Sequence, residues 1–543
     1  MVQVGFGHFF EPTRNKTIYM ITKLELIELG YPEGALIEEI WARVLQHQQS
    51  GITQRKYLLK LLRREFGAPD GRMKMRKRPL PFGKAIKETC EDGKKNIAAV
   101  TAKMNELLCT PIIEAGAVMP DACPASMGEA VIPVGGAIAV NNAIIPSAHS
   151  ADICCSMYAT FYEARTSVTN EMNALATSTR FGPGGRHYDH LVHHPVVDEP
   201  VWDNKFLSGL QDYAKVHMAD QGDGNHFAYI GKVTFTVAQL TQLREAGFHQ
   251  IAEALAESPT KEYRVLVTHH GSRGLGSHLY KRGQKAAEKN TAKVAEGVPQ
   301  AAAWIDFDSK EGKAYWEALQ YVSRWTQANH QSIHQRFLDS IGASEVATMG
   351  NEHNFVWRRQ GENGENIFLH GKGATPAWMD ESGHPQLGLV PMNMGAPILI
   401  ILGRDNQDYL GFAPHGAGRN LSRTALKRRF YKSASDPKAM QVAIDQATQG
   451  LDIRWYCGKP DLSESPIAYK NADQVKAQIE EFGLADIVAE IQPLGSIMAG
   501  QSAIPYWQQK EEQLTPKQRR QLQHRAERRT FKQQLGQYDD ESF

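Results

Sequence analysis

The residues best suited to chemistry sit in five turns rich in glycine, asparagine and histidine. The first is "HSADICCSMYA" (149–159), where Asp152 stands three residues before Cys155 in a chain with only six cysteines. A disulfide between the neighbours Cys154 and Cys155 would be strained. The pair is therefore either two small buried side chains or holds a metal ligand beside Asp152, and a metal would need histidines from elsewhere. "GDGNHFAYI" offers Asn225 and His226, and "VLVTHHGSRGLG" offers His269, His270, Ser272 and Arg273. "GNEHNFVW" supplies His353, and "APHGAGRNLSR" places His415 before Gly416, Ala417, Gly418 and Arg419. Singly, a turn histidine is more often a hydrogen-bonding residue than a ligand. Together, one thiolate, one carboxylate and three imidazoles suit Zn, Mn, Fe or Co rather than Mg or Ca, which prefer oxygen shells. A thiolate can also bridge two ions. Glycines let a ligand approach the backbone closely, and an imidazole beside "GAG" can form a phosphoramidate with a nucleotide if pyrophosphate leaves.

These turns need strands to carry them. Short β-branched runs ("EAVIPVG", "YRVLVTHH", "PILIILG") end in Gly-, His- or Asn-bearing turns, with helices between. The pattern predicts an α+β catalytic domain over 106–500, with mixed sheets flanked by helices and polar turns gathered at strand ends. Residues 1–105 read as a helical, partly basic region, with apolar residues at three- and four-residue steps in "KLELIELGYPEGALIEEIWARVLQHQQ" and "TQRKYLLKLLRREFG". The run Arg72, Lys74, Arg76, Lys77 and Arg78 follows. Residues 501–543 read as a basic helical tail opened by Thr515-Pro516. From Lys517 to Lys532 it carries seven Lys/Arg against Glu527 alone. A solvated surface is the ordinary reading of both basic runs, and phosphate contact is the alternative.

Composition narrows the function further. A net charge of +1 gives no global attraction to nucleic acid, so any such attraction is local. No window approaches ~18 apolar residues, so no membrane span is expected. The opening residues lack an apolar core behind a basic start. Six irregularly spaced cysteines make no disulfide framework. A cytoplasmic protein with reduced thiols is the expectation.

In the order DxxC, GNHF, HxGSRG, HN and HGAGR, the motifs resemble the RtcB family of RNA-splicing and RNA-repair ligases. "MPDA" (119–122), "IIPSA" (144–148), "GKGATPA" (371–377) and "MGAP" (394–397) extend the likeness over roughly residues 110–500. The resemblance implies an enzyme that joins RNA 3′-phosphate or 2′,3′-cyclic phosphate ends to 5′-hydroxyl ends, using GTP and two Mn(II) ions. It implies that Asp152 and Cys155 are metal ligands and that Cys155 bridges the ions. His226 would complete the ion of Asp152, and His269 and His353 the other. His415 would take up GMP, and Asn225 would touch the triphosphate. Ser272, Arg273 and Arg419 would bind phosphates. Phe227, Tyr229, Lys372, Asn393, Gly416, Ala417 and Gly418 would line the nucleotide pocket.

The chain also departs from that family. Tyr229 stands where a glutamate usually recognises guanine, Asn393 where a serine precedes MG, and Ala499 near the expected C-terminal lysine. Cys123 and His270 replace a usual histidine and serine, and Cys154 fills a usual glycine slot. The ligands and nucleophile are intact while the base-reading positions are altered. Nucleotidyl transfer is expected, guanine selectivity is not, and ATP stands beside GTP. One rival is a dinuclear phosphohydrolase or cyclic phosphodiesterase that has lost the joining step; His415 in HGAGR speaks against it. A second rival is a non-catalytic RNA-binding protein using the two basic runs; the retained ligand candidates speak against that.

Overall fold

The N-terminal periodicity folds as three helices, α1 (Lys23–Glu28), α2 (Ala35–Gln49) and α3 (Arg55–Phe66). Thr22 and Glu25 close a capping box at the start of α1. The apolar stripes turn inward, so that Leu26, Ile40, Val44, Leu58 and Leu62 share one fully buried cluster. The computed structural model describes residues 21–500, apart from 32–33, 53, 68–71, 89, 125–127, 257–260, 362–363, 424, 427–436, 457 and 459. The basic 517–532 run therefore lies outside the described residues. The described residues divide into two compact units, one within residues 21–74 with 292–297, the other within 75–291 with 298–500.

The second unit is the mixed α+β domain expected from the strand–turn pattern. Its principal strands are β1 (Ile113–Cys123), β2 (Val134–Asn141), β3 (Ser156–Tyr162), β4 (Gly224–Thr234), β5 (Glu262–His270) and β6 (Glu345–Glu352). They continue with β7 (Asn354–Gln360), β8 (Asn366–Lys372), β9 (Leu387–Pro391), β10 (Ile398–Gly403) and β11 (Ala485–Gly500). One sheet runs β6-β3-β5-β4-β11-β10-β9, with Asp452–Trp455 added in parallel to β11. The other runs β7-β8-β2-β1 and ends on Gly83–Lys84. No described helix is long and apolar enough to cross a membrane.

β5 lies inside the sheet and is buried on both faces from Val265 to His270. One face packs in a cluster with Phe161, Tyr229, Val265, Val267 and Ile400. Across the other lies the long helix Lys310–Ile341, whose His330 and His334 share hydrogen bonds with the Thr268 hydroxyl at 2.6 and 2.8 Å. The register then gathers the reactive turns. His269 stands opposite Met157 on one side and Phe227 on the other, and Glu352 opposite Ser156. Cys155, His226, His269 and His353 thus meet at one end of the sheet, although up to 198 residues separate them in the chain (353 − 155).

Candidate active site

At that end two groups of three side chains share one thiol. Asp152, Cys155 and His226 form the first and Cys155, His269 and His353 the second, with the ligand atoms of each group within 4.8 Å of one another. Cys155 Sγ lies 3.1 Å from His269 Nε2 and 3.8 Å from His226 Nε2. His269 Nε2 is 3.2 Å from His353 Nε2, and His226 Nε2 is 2.8 Å from Asp152 Oδ2. The structure thus brings together the residues that the family resemblance grouped, in two clusters that share Cys155 and could each hold a metal ion.

The backbone fixes the thiol's place. His353 N–H donates to the Cys155 carbonyl at 2.9 Å, and Cys154 N–H to the Asn354 carbonyl at 2.8 Å. Cys154 itself is fully buried at φ +58°, a left-handed conformation that glycine adopts at least cost. The Cys pair thus divides into a turn residue and a residue that faces the histidines.

Electrostatics fits the donor set to a divalent ion. Burial, helped by the neighbouring His226 and His415, pushes His269 down to about 3 and, with His415 and His269 nearby, holds His353 well below the usual histidine range. Both are neutral imidazoles, the form a metal takes up. Burial acts to raise the Asp152 carboxyl, but His226 and Arg273 outweigh it and hold the group well below the usual range. Burial and then the Asp152 charge push the Cys155 thiol well up. A cation between these groups is what would convert that thiol to a thiolate ligand.

His415 approaches the second group from another loop, its ring centroid 5.0 Å from that of His353. Its Nδ1 lies 2.5 Å from Asp121 Oδ2, and its backbone N–H donates to the same oxygen at 3.2 Å. Asp121 is fully buried in β1. The carboxylate fixes the ring and leaves Nε2 with no hydrogen-bond partner among the described residues. Gly418 makes the turn possible: its φ is +69°, and a Cβ there would press into the Asp121 carbonyl. Gly418→Ala is expected to cost on the order of 2 kcal/mol, read as a lower denaturant midpoint, with a smaller yield of any His415 adduct.

A cavity opens beside His415. Asn225, Phe227, Tyr229, Asn393, Gly416, Ala417, Gly418 and Arg419 line it, as expected of a nucleotide pocket. Lys372 does not line it; burial lowers that amine to about 8, with Cys123 acting the other way. Ser272 is also elsewhere, its hydroxyl and N–H both donating to the Ile153 carbonyl, at 2.6 and 3.1 Å. Arg273 turns its buried guanidinium to His226 Nδ1 at 2.8 Å and to Asp223 at 2.9 Å, beside the first ion group.

Arg419 reaches the cavity with its charge already matched. It donates to Glu464 Oε2 at 2.9 Å, to the Tyr469 hydroxyl at 3.0 Å and to the Ser463 carbonyl. Tyr469 donates to the same Glu464 oxygen at 2.8 Å, and Arg423 lies 2.7 Å from Oε1. Asp121, Arg423, Glu464 and Tyr469 were not singled out from the sequence. Asp121 stands in the "MPDA" motif, but its partner lies 294 residues away and only the fold joins them.

A family described as tRNA-splicing ligase RtcB matches residues 200–499 of this chain. Three curated relatives bear the same name. The protein of Methanopyrus kandleri is 27% identical over 51% of this chain and 30% of its own length. That of Thermococcus kodakarensis is 26% identical over 42% of this chain and 51% of its own, and that of Aeropyrum pernix 26% over 55% and 64%. The chain spans between about a third and two thirds of the length of these relatives. With residues 200–499 of its 543 matched, and His226, His269, His353 and His415 inside that stretch, the chain belongs to the RtcB family.

Proposed function

We propose that this protein is an RNA ligase that seals a 3′-phosphate or 2′,3′-cyclic phosphate end to a 5′-hydroxyl end through a His415–nucleotide intermediate. The observation that carries the reading is His415 itself. Asp121 holds one ring nitrogen at 2.5 Å, and the other has no partner among the described residues and lies beside both the cavity and the second group of candidate ligands. Hydrolysis by a metal-activated water needs no such nucleophile. Asp152, Cys155 and His226 would hold one Mn(II) ion and Cys155, His269 and His353 the other, and the pair would supply Lewis acidity at phosphoryl oxygens.

His415 Nε2 attacks the α-phosphate of GTP or ATP; an N–P bond forms and pyrophosphate leaves. The buried Asp121 carboxylate keeps the proton on Nδ1 and stabilises the positive charge that develops on the ring. An oxygen of the RNA 3′-phosphate then displaces His415, leaving the RNA end capped with the nucleotide. The 5′-hydroxyl attacks the RNA phosphorus, its proton is lost, and the nucleoside monophosphate departs. A cyclic end must first be opened by water to the 3′-phosphate. Capping is needed because a free phosphate dianion is a poor electrophile and has no good leaving group.

The partner is RNA, and the proposed site of action is the cytoplasm. The test is to incubate the protein with Mn(II), GTP or ATP, and two RNA strands bearing those ends. The reading requires joined product and release of pyrophosphate and nucleoside monophosphate. Loss of the terminal phosphate without joining would instead favour the dinuclear phosphohydrolase.

A further inference from the structure

The far end of the cavity beside His415 carries a hydrogen-bonding pattern of its own. Asn225, Phe227 and Tyr229 alternate along β4 and so face the same side of the sheet. Asn225 adjoins the metal-binding turn, and Tyr229 stands four residues on, about 13 Å away at ~3.3 Å per residue. Ser496 of β11 pairs directly with Tyr229, and Met498 with Phe227. A nucleotide with its phosphates at His415 and Asn225 therefore extends its base towards Tyr229 and Ser496.

The polar atoms at that end are few. The Tyr229 hydroxyl donates to the Ile491 carbonyl at 3.0 Å, so its oxygen can only accept. Ser496 is 1% exposed, and its buried hydroxyl has no hydrogen-bond partner. Glu464 is taken up by Arg419, Arg423 and Tyr469. The Asn393 amide oxygen accepts from Gly395 N–H at 2.9 Å, which leaves that side chain its donors. Phe227, Ile398 and Met498 complete an apolar wall.

From this, and resting on the reading of the cavity as a nucleotide site, we infer that Ser496 and Tyr229 read the base and that the pocket selects adenine over guanine. Ser496 donates to adenine N1 while the Tyr229 oxygen accepts from one 6-amino hydrogen, so both hydroxyls are matched by the adenine Watson–Crick edge. Guanine brings donors at both N1 and the 2-amino group. If both hydroxyl oxygens accept from them, the Ser496 O–H does not gain the partner that adenine gives it; if Ser496 donates to O6 and Tyr229 accepts from N1–H, the guanine 2-amino group is stranded against the apolar wall. One unmatched buried donor is enough for a selectivity of about tenfold or more.

The test is equilibrium binding of ATP and GTP to full-length His415→Ala protein with Mn(II), where no covalent step intervenes. ATP should bind about tenfold tighter than GTP. Ser496→Ala should weaken ATP and bring the ratio near one, Ser496→Thr should keep the preference, and Tyr229→Glu should turn it towards GTP. GTP binding as tightly as ATP, or an unchanged ratio in Ser496→Ala, overturns the inference and leaves the ligase reading standing. If neither nucleotide binds, the nucleotide-site reading fails and the inference with it.

Discussion

His415→Ala abolishes both the nucleotide adduct and the sealing of 3′-phosphate to 5′-hydroxyl ends, a loss of at least about a thousandfold, as expected when a covalent nucleophile is removed. The variant should nevertheless join an RNA whose 3′-phosphate already carries the nucleotide, because the final displacement makes no use of the imidazole. That split separates a nucleophile from a residue that merely supports its loop. Asp121→Asn gives the companion result. The amide can still bond to Nδ1 but carries no charge, and can hold the ring in the wrong tautomer, so adduct formation should fall by roughly 10²–10⁴. Sealing of the capped RNA should change little in Asp121→Asn. If both variants lose the capped reaction as completely as the uncapped one, His415 is holding structure rather than the nucleotide.

Cys155→Ala strips the protein of bound metal and of every metal-dependent step. The thiol is common to both groups of ligand atoms, so its removal leaves Asp152–His226 and His269–His353 as two incomplete pairs. Affinity should drop by at least 10–100-fold at each ion. Cys154→Ala is the control. Its buried thiol belongs to neither group of ligand atoms and its backbone makes the turn, so metal content should stay near wild type while stability falls by about 1 kcal/mol for the lost buried sulfur. Elemental analysis of the two purified variants decides between them; equal metal content would mean that Cys155 does not bridge.

The sequence displayed the donor groups because each sits in a short motif, and strand register then does what a motif cannot. His269 opposite Phe227 and Met157 is enough to bring three ligand turns to one end of the sheet. The mixed architecture was also legible, since "YRVLVTHH" and "PILIILG" form strands, whereas "EAVIPVG" enters one only at Val134. The polar partnerships were hidden. Arg419 follows His415 by four residues and reads as a phosphate grip, yet Glu464, 45 residues further on, neutralises it. Ser272 sits in a phosphate-like "GSRG" turn, but the turn lies against the Ile153 carbonyl and absorbs the hydroxyl. Ser496 gives no signal at all in "PLGSIMAG"; it acquires one when β11 lies beside β4 and leaves its hydroxyl unpaired. Such contacts depend on which strands become neighbours, and local spacing carries no record of that.

The most direct measurement is the intact mass of wild-type protein loaded with Mn(II) and offered each nucleoside triphosphate in turn. The account predicts one added nucleoside monophosphate per chain, lost in acid and stable in alkali as a phosphoramidate is, mapped to His415 and absent from His415→Ala. An unmodified mass with every triphosphate would contradict it and leave a dinuclear phosphohydrolase in its place.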